Sequence, residues 1–77
     1  MSTIPVLSGR EVASILAEFG WEIARRPRGS HIIMVKSGNP ATLSVPDHRE
    51  VARGTLRTLI RRAGLTPEEF LSKVRAK

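Results

Sequence analysis

The tripeptide Gly29-Ser30-His31 brings together residue types that suit proton transfer on an anionic substrate. It follows a basic turn, Arg25-Arg26-Pro27-Arg28, and leads into the apolar run Ile32-Ile33-Met34-Val35. A histidine exchanges a proton near neutral pH because the unperturbed pKa of imidazole is about 6.5. We therefore predict that His31 is the principal catalytic residue of a small ribonuclease, with Gly29 and Ser30 as supporting residues of the turn.

RNA supplies its own nucleophile, so a protein needs few groups to cleave it. The 2′-hydroxyl must lose a proton, the leaving 5′-oxygen must gain one, and the charge on the phosphorus oxygens must be stabilised. Histidine can act as the general base or acid, and arginines can donate paired hydrogen bonds to a phosphate. The predicted phosphate-binding residues near His31 are Arg25, Arg26, Arg28 and Lys36. The alternative is that His31 only begins a strand and makes local hydrogen bonds.

Two further groups could take part in the same chemistry. His48, which follows Pro46-Asp47, is a candidate for a second proton transfer or for phosphate binding, and its alternative is an idle loop histidine. A spacing of four residues on a helix places side chains on one stripe. Arg53, Arg57 and Arg61 form such a stripe. The stripe could follow a phosphate backbone, or it could simply face solvent.

The composition argues against other kinds of site. The chain has no cysteine, and its two histidines are far apart in sequence with no close set of carboxylates. No standard zinc spacing results, so we predict neither a metal nor a cofactor. The aromatic residues are one tryptophan and two phenylalanines, all expected in the core, which disfavours base stacking.

The positive charge is concentrated in the middle of the chain. The formal net charge is +6, of which the segment from Arg25 to Arg62 carries +7 and the remainder −1. A localised basic field indicates an anionic partner: nucleic acid first, then an acidic protein, then a membrane surface. The alternative is a solvated, arginine-rich surface.

The length of 77 residues fits one small domain, predicted over residues 1–77. The longest apolar run is too short to cross a bilayer, and the first eight residues lack the features of a secretory signal. With the absence of cysteine, these features indicate a cytoplasmic protein.

Capping residues and apolar spacing predict three helices. Ser8 and Glu11 form one capping box, and Thr66 and Glu69 form another, with Pro67 at its preferred first helical position. Between them, two turn signals divide the middle of the chain into three strands, and the short connections favour an antiparallel meander. The predicted helices run from Gly9 to Phe19, from Ala52 to Ala63 and from Pro67 onward, and the strands cover Trp21–Arg26, Ser30–Lys36 and Ala41–Val45.

The order α-β-β-β-α-α predicts an α+β fold, with helices packed on one face of an antiparallel three-stranded sheet. The double-stranded-RNA-binding domain uses the α-β-β-β-α core of this order. The sequence leaves the direction of His31 open. If Ile33 and Val35 face the helices, so does His31; otherwise all three lie on the open face, where the apolar pair could dock a partner.

The order and spacing of several short motifs resemble those of the HicA-type toxins, the small mRNA interferases of HicA–HicB toxin–antitoxin modules. The resemblance covers nearly the whole chain. The motifs that carry it are Ser8-Gly9-Arg10-Glu11-Val12, Phe19-Gly20-Trp21, Gly29-Ser30-His31, Val45-Pro46-Asp47-His48, the run from Gly54 to Leu65, and Glu69-Phe70.

The resemblance implies a fold like the double-stranded-RNA-binding domain and ribosome-independent, metal-independent cleavage of mRNA and tmRNA. It also implies neutralisation by a HicB antitoxin that covers the active site. The family's catalytic histidine corresponds to His31 and the glycine before it to Gly29, whereas His48 matches a frequent histidine without a settled role. The turn Ser37-Gly38-Asn39-Pro40 departs from the family pattern, which we expect to alter loop shape more than chemistry.

Two other functions agree with the same sequence. A non-catalytic RNA-binding module would bind RNA with a steep salt dependence and leave it intact. An interaction module would use its basic face to dock an acidic protein and would bind RNA negligibly at physiological salt.

Overall fold

The computed structural model describes residues 4–25 and 31–74, with only the backbone described at Arg25. The elements follow the predicted order α-β-β-β-α-α. Their bounds are α1 Gly9–Ala17, β1 Trp21–Arg25, β2 His31–Lys36, β3 Asn39–Pro46, α2 Arg53–Arg62 and α3 Pro67–Leu71. Within the described ranges, each helix is too short or too polar to cross a membrane.

The three strands form one antiparallel sheet in the order β1-β2-β3, so β1 and β3 are its edges. The helices cover one face of this sheet and bury an apolar cluster against it. The residues that the sheet contributes to the cluster are Trp21, Ile32, Met34, Leu43 and Val45. This arrangement confirms the predicted α+β fold.

Burial along β2 decides which way His31 points. Ile32 is 1% exposed and Met34 is 0% exposed, so these two side chains face the helices. Because side chains alternate between the two faces of a sheet, His31, Ile33 and Val35 lie on the open face. The histidine is exposed and Val35 is 38% exposed.

The start of α1 is fixed by its own sequence. The Ser8 hydroxyl accepts a hydrogen bond from the Glu11 amide at 3.1 Å, and the Glu11 carboxylate accepts one from the Ser8 amide at 2.8 Å. Leu7 and Val12, on either side of this capping box, are both buried, as a hydrophobic staple requires. Capping and burial therefore agree on where the helix begins.

Strand β3 is longer than predicted, because the preceding turn is tighter. The turn uses only Ser37 and Gly38, where Gly38 has φ +80°, a conformation that favours glycine. The strand pairing shifts between Val35 and Lys36, and Pro40 lies in this irregular stretch of an edge strand. A proline is tolerated there because it need not donate a ladder hydrogen bond.

Candidate active site

His31 is the first residue of β2 and lies opposite Pro46, the last residue of β3. The next pairs on the open face are Ile33 with Ser44 and Val35 with Thr42. His31 is therefore an exposed imidazole at one end of the open face. Its neighbours on this face are apolar residues on its own strand and hydroxyl residues on β3.

The segment that follows β3 is held beside His31 by the chain that enters α1. The Gly9 amide donates to the His48 carbonyl at 2.9 Å, and the Val51 amide donates to the Leu7 carbonyl at 2.8 Å. Arg10 Nε lies 3.6 Å from Asp47 Oδ1. These contacts fix residues 47–51 at both ends, and so position the backbone that continues from the partner of His31.

Gly9 is required for this approach. A Cβ built on Gly9 would lie 2.0 Å from the Pro46 carbonyl oxygen and 2.9 Å from Asp47 Cα. Both are backbone atoms, which cannot move aside as the end of a flexible side chain can. The glycine allows the first turn of α1 to press directly against the end of β3.

His48 follows closely after the residue that pairs with His31, but its side chain makes no hydrogen bond or ion pair that the structure describes. It lies two residues beyond Pro46, the partner of His31, and its side chain is exposed. Its backbone carbonyl, rather than its imidazole, makes the contact with α1. Its imidazole is thus accessible to solvent.

The other residues predicted around His31 divide into two groups. Arg26, Arg28, Gly29 and Ser30, and the side chain of Arg25, lie outside the described residues. Lys36 is at the opposite end of β2, about 16 Å along the strand at ~3.3 Å per residue. It is paired with Trp21 on the helix-covered side, and a Cβ built on Gly20 would lie 3.2 Å from Lys36 Cε. The structure therefore does not bring Lys36 to His31.

The predicted arginine stripe of α2 is exposed, as a solvent-facing stripe must be. Arg57 and Arg61 line a surface cavity on the side of α2 that faces α3 and the amino-terminal segment. That cavity also contains Glu68 and the apolar side chains Ile4, Ile60 and Leu65. Arg57 and Arg61 are thus directed toward a mixed surface, separate from the strand residues beside His31.

A different face of α2 borders the sheet. Between this helix and the edge strand β3 lies an open groove of about 330 Å³, which we call the β3–α2 groove. Its lining residues are Thr42, Ser44, Thr55, Thr58, Leu59 and Arg62. Sequence reasoning missed this groove, although the alternation of Thr42 with Ser44 and the i, i+3, i+7 spacing of the helix residues were visible signals.

The aromatic side chains lie in the core or pack against it. Trp21 is 1% exposed and Phe70 is 0% exposed, while Phe19 packs against the core. Residues 4–25 and 31–74 contain no cluster of three or more histidine, cysteine, aspartate or glutamate side chains able to hold a metal ion.

The fold and the site define a class: a small basic α+β domain of α-β-β-β-α-α order, with an exposed histidine on its open sheet face. Residues 9–65 match the family model described as HicA toxin of bacterial toxin-antitoxin, and the chain belongs to the HicA toxin family. The comparison with curated proteins finds no match.

The structure is also similar to a chain of a toxin–antitoxin complex from Streptococcus pneumoniae. The TM-score is 0.68 and the sequence identity 32%, over 77% of this chain and 98% of that chain. The family resemblance inferred from the motifs is thereby confirmed.

Proposed function

We propose that this protein is a toxin that cleaves RNA, as a metal-independent endoribonuclease that uses His31 as a general acid or base. The observation that carries the proposal is the position of His31: an exposed imidazole on the open face of a domain that belongs to the HicA toxin family. An imidazole buried against the helices could not reach a phosphodiester, whereas this one can.

The chemistry requires two proton transfers and one stabilised charge. The 2′-hydroxyl loses its proton and its oxygen attacks phosphorus. The bond from phosphorus to the 5′-oxygen breaks, and that oxygen gains a proton. His31 performs one transfer, and His48 is the candidate for the other. The products are a 2′,3′-cyclic phosphate and a 5′-hydroxyl.

Basic residues stabilise the charge on the phosphorus oxygens and attract the substrate. Arg25, Arg26 and Arg28, which precede His31, are the proposed contacts nearest the scissile phosphate. The exposed arginines of α2 (Arg53, Arg57 and Arg61) contribute to the positive field that draws RNA to the domain. Lys36, at the far end of β2, contributes in the same way.

The end groups of the products test the mechanism. Incubation of the protein with mRNA is expected to give fragments with 2′,3′-cyclic phosphate and 5′-hydroxyl ends, at an unchanged rate in EDTA. The ends are identified by mass spectrometry and by labelling with polynucleotide kinase. Fragments with 5′-phosphate ends, or cleavage abolished by EDTA, would exclude this mechanism, and RNA bound but left intact would favour the non-catalytic module.

We further propose that a HicB-like antitoxin neutralises the toxin by covering the open face around His31. The similar chain from Streptococcus pneumoniae belongs to a toxin–antitoxin complex. Around His31, the apolar side chains of Ile33 and Val35 are incompletely buried, and Val35 is 38% exposed. A partner that buries this pair would also exclude RNA from the histidine.

Substitution of Val35 tests the docking surface. We expect Val35→Ser to weaken binding of the HicB-like antitoxin about tenfold, because a buried apolar contact at an interface centre contributes more than ~1 kcal/mol. Val6→Ser is the matched control, since Val6 is 56% exposed and precedes α1 rather than lying on the sheet. Isothermal titration calorimetry measures both affinities, and equal effects of the two changes would reject the open face as the docking surface.

A further inference from the structure

We propose that the β3–α2 groove binds the sugar–phosphate backbone of the RNA beside the scissile bond, with Arg62 as its charged phosphate contact. The proposal rests on the ribonuclease function proposed above. It adds a binding site whose residues are distinct from the catalytic histidine and from the arginine stripe.

The groove has the chemistry that a nucleic-acid backbone needs. Four of its six lining residues carry a hydroxyl, one carries a guanidinium, and its lining contains no carboxylate. Hydroxyl groups can donate to phosphate oxygens and can accept from a ribose 2′-hydroxyl, while arginine donates to phosphate. The Thr58 hydroxyl already donates to the Gly54 carbonyl at 3.1 Å, which leaves its oxygen free to accept. The lining thus presents donors and acceptors without a group that repels phosphate.

The groove is continuous with the face that carries His31. Ser44 lies opposite Ile33, and the next pair on the same face is His31 with Pro46. Ser44 is therefore the diagonal neighbour of His31, about 7–8 Å away between Cα atoms. Thr42 is one pair further along, opposite Val35. An RNA strand with a phosphate at His31 can pass over these hydroxyls and enter the groove at the edge of the sheet.

The face of α2 that lines the groove differs from the predicted stripe. Thr55, Thr58 and Arg62 stand at i, i+3 and i+7, so they share one side of the helix. The stripe residues Arg57 and Arg61 instead line the cavity that contains Glu68 and several apolar side chains. Position and charge therefore favour Arg62 over Arg61 as a direct contact to RNA, although the two are adjacent in sequence.

Three alanine variants separate a direct contact from a loss of charge. Arg62→Ala and Arg61→Ala each remove one positive charge from the last turn of α2, so they alter the helix dipole interaction alike. Lys73→Ala is the charge control, because Lys73 lies beyond α3 and its ion pair with Glu18 is long, at 4.0 Å, and exposed. All three are made in a His31→Ala background, which is expected to leave the RNA intact.

The measurement is the Kd of a fluorescein-labelled single-stranded 12-nucleotide RNA, obtained by fluorescence anisotropy at several salt concentrations. We expect Arg62→Ala to raise Kd about five- to tenfold and to lower the salt slope by roughly 0.7, the value for one lost phosphate contact on a single strand. We expect Arg61→Ala and Lys73→Ala to change Kd by less than about threefold, which is the long-range effect of one exposed charge. Thr55→Val, which removes a hydroxyl at nearly constant shape, is expected to raise Kd about two- to threefold.

Equal losses in Arg62→Ala and Arg61→Ala, or a larger loss in Arg61→Ala, would overturn the groove proposal. Failure of the ribonuclease function gives a different result: wild-type protein would bind the RNA with the same dependence on Arg62 but leave it uncut. Cleavage by the wild type together with equal binding losses would retain the ribonuclease and reject the groove.

Discussion

Replacement of His31 by alanine is expected to lower the rate of RNA cleavage at least about a hundredfold, because positioned proton transfer contributes 10²- to 10⁴-fold. A hundredfold loss corresponds to about 2.7 kcal/mol of transition-state stabilisation. The side chain is exposed at the first position of β2 and belongs to no part of the buried cluster. We therefore expect the free energy of unfolding to change by less than about 0.5 kcal/mol.

The experiment compares single-turnover cleavage rates of wild-type protein and His31→Ala on one labelled RNA. Circular dichroism and a thermal melt establish that the variant is folded. His48→Ala, which also changes an exposed histidine, is the matched variant. A comparable loss in His48→Ala assigns the second proton transfer to His48, and a loss below about tenfold leaves His31 as the principal group. Full cleavage by His31→Ala, in a preparation free of contaminating nuclease, would contradict the proposed mechanism.

Replacement of Gly9 by alanine is expected to destabilise the domain by about 3 kcal/mol or more, a large part of the stability of a small domain. The added Cβ would lie 2.0 Å from the Pro46 carbonyl oxygen. Relief of this contact requires α1 to move away from the end of β3. That movement would stretch the 2.9 Å hydrogen bond from the Gly9 amide to the His48 carbonyl, and so disturb the segment beside His31.

The melting temperature measures this effect. A loss of 3 kcal/mol in a domain of this size lowers Tm by roughly 12 °C or more. Gly54→Ala is the control, since Gly54 also lies in the first turn of a helix but a Cβ there would meet nothing within 4 Å. We expect that change to be neutral or to stabilise by up to about 1 kcal/mol. If Gly9→Ala melts within about 2 °C of wild type, α1 can move away from β3 at little cost, and the close contact at Gly9 does not stabilise the domain.

Local signals in the sequence predicted most of the fold. Both capping boxes are present as expected, with the Thr66 hydroxyl accepting from the Glu69 amide at 3.1 Å. The glycines expected to end the first two helices, Gly20 and Gly64, have φ +98° and +80°. These features depend on residues within a few positions of one another, so the sequence carries their whole cause. The predicted start of β3 was wrong by two residues, because proline is typical of turns and the pairing of Asn39 with Lys36 depends on the neighbouring strand.

For the candidate site too, some features follow from the sequence and others from tertiary packing. The residue types, the +7 central segment and the spacing of the family motifs are properties of the sequence, and they were sufficient to select His31 and to indicate the HicA family.

Two facts depended on tertiary packing. The first is that Ile32 and Met34, rather than Ile33 and Val35, face the helices. The second is that Arg62 borders the sheet while Arg57 and Arg61 do not line the same groove. In each case the local pattern fits both arrangements, because an apolar run has no alternation and a helix with four arginines is basic on several sides. Only the contacts of β2 with α1, and of α2 with β3, determine which side chains remain exposed beside the histidine.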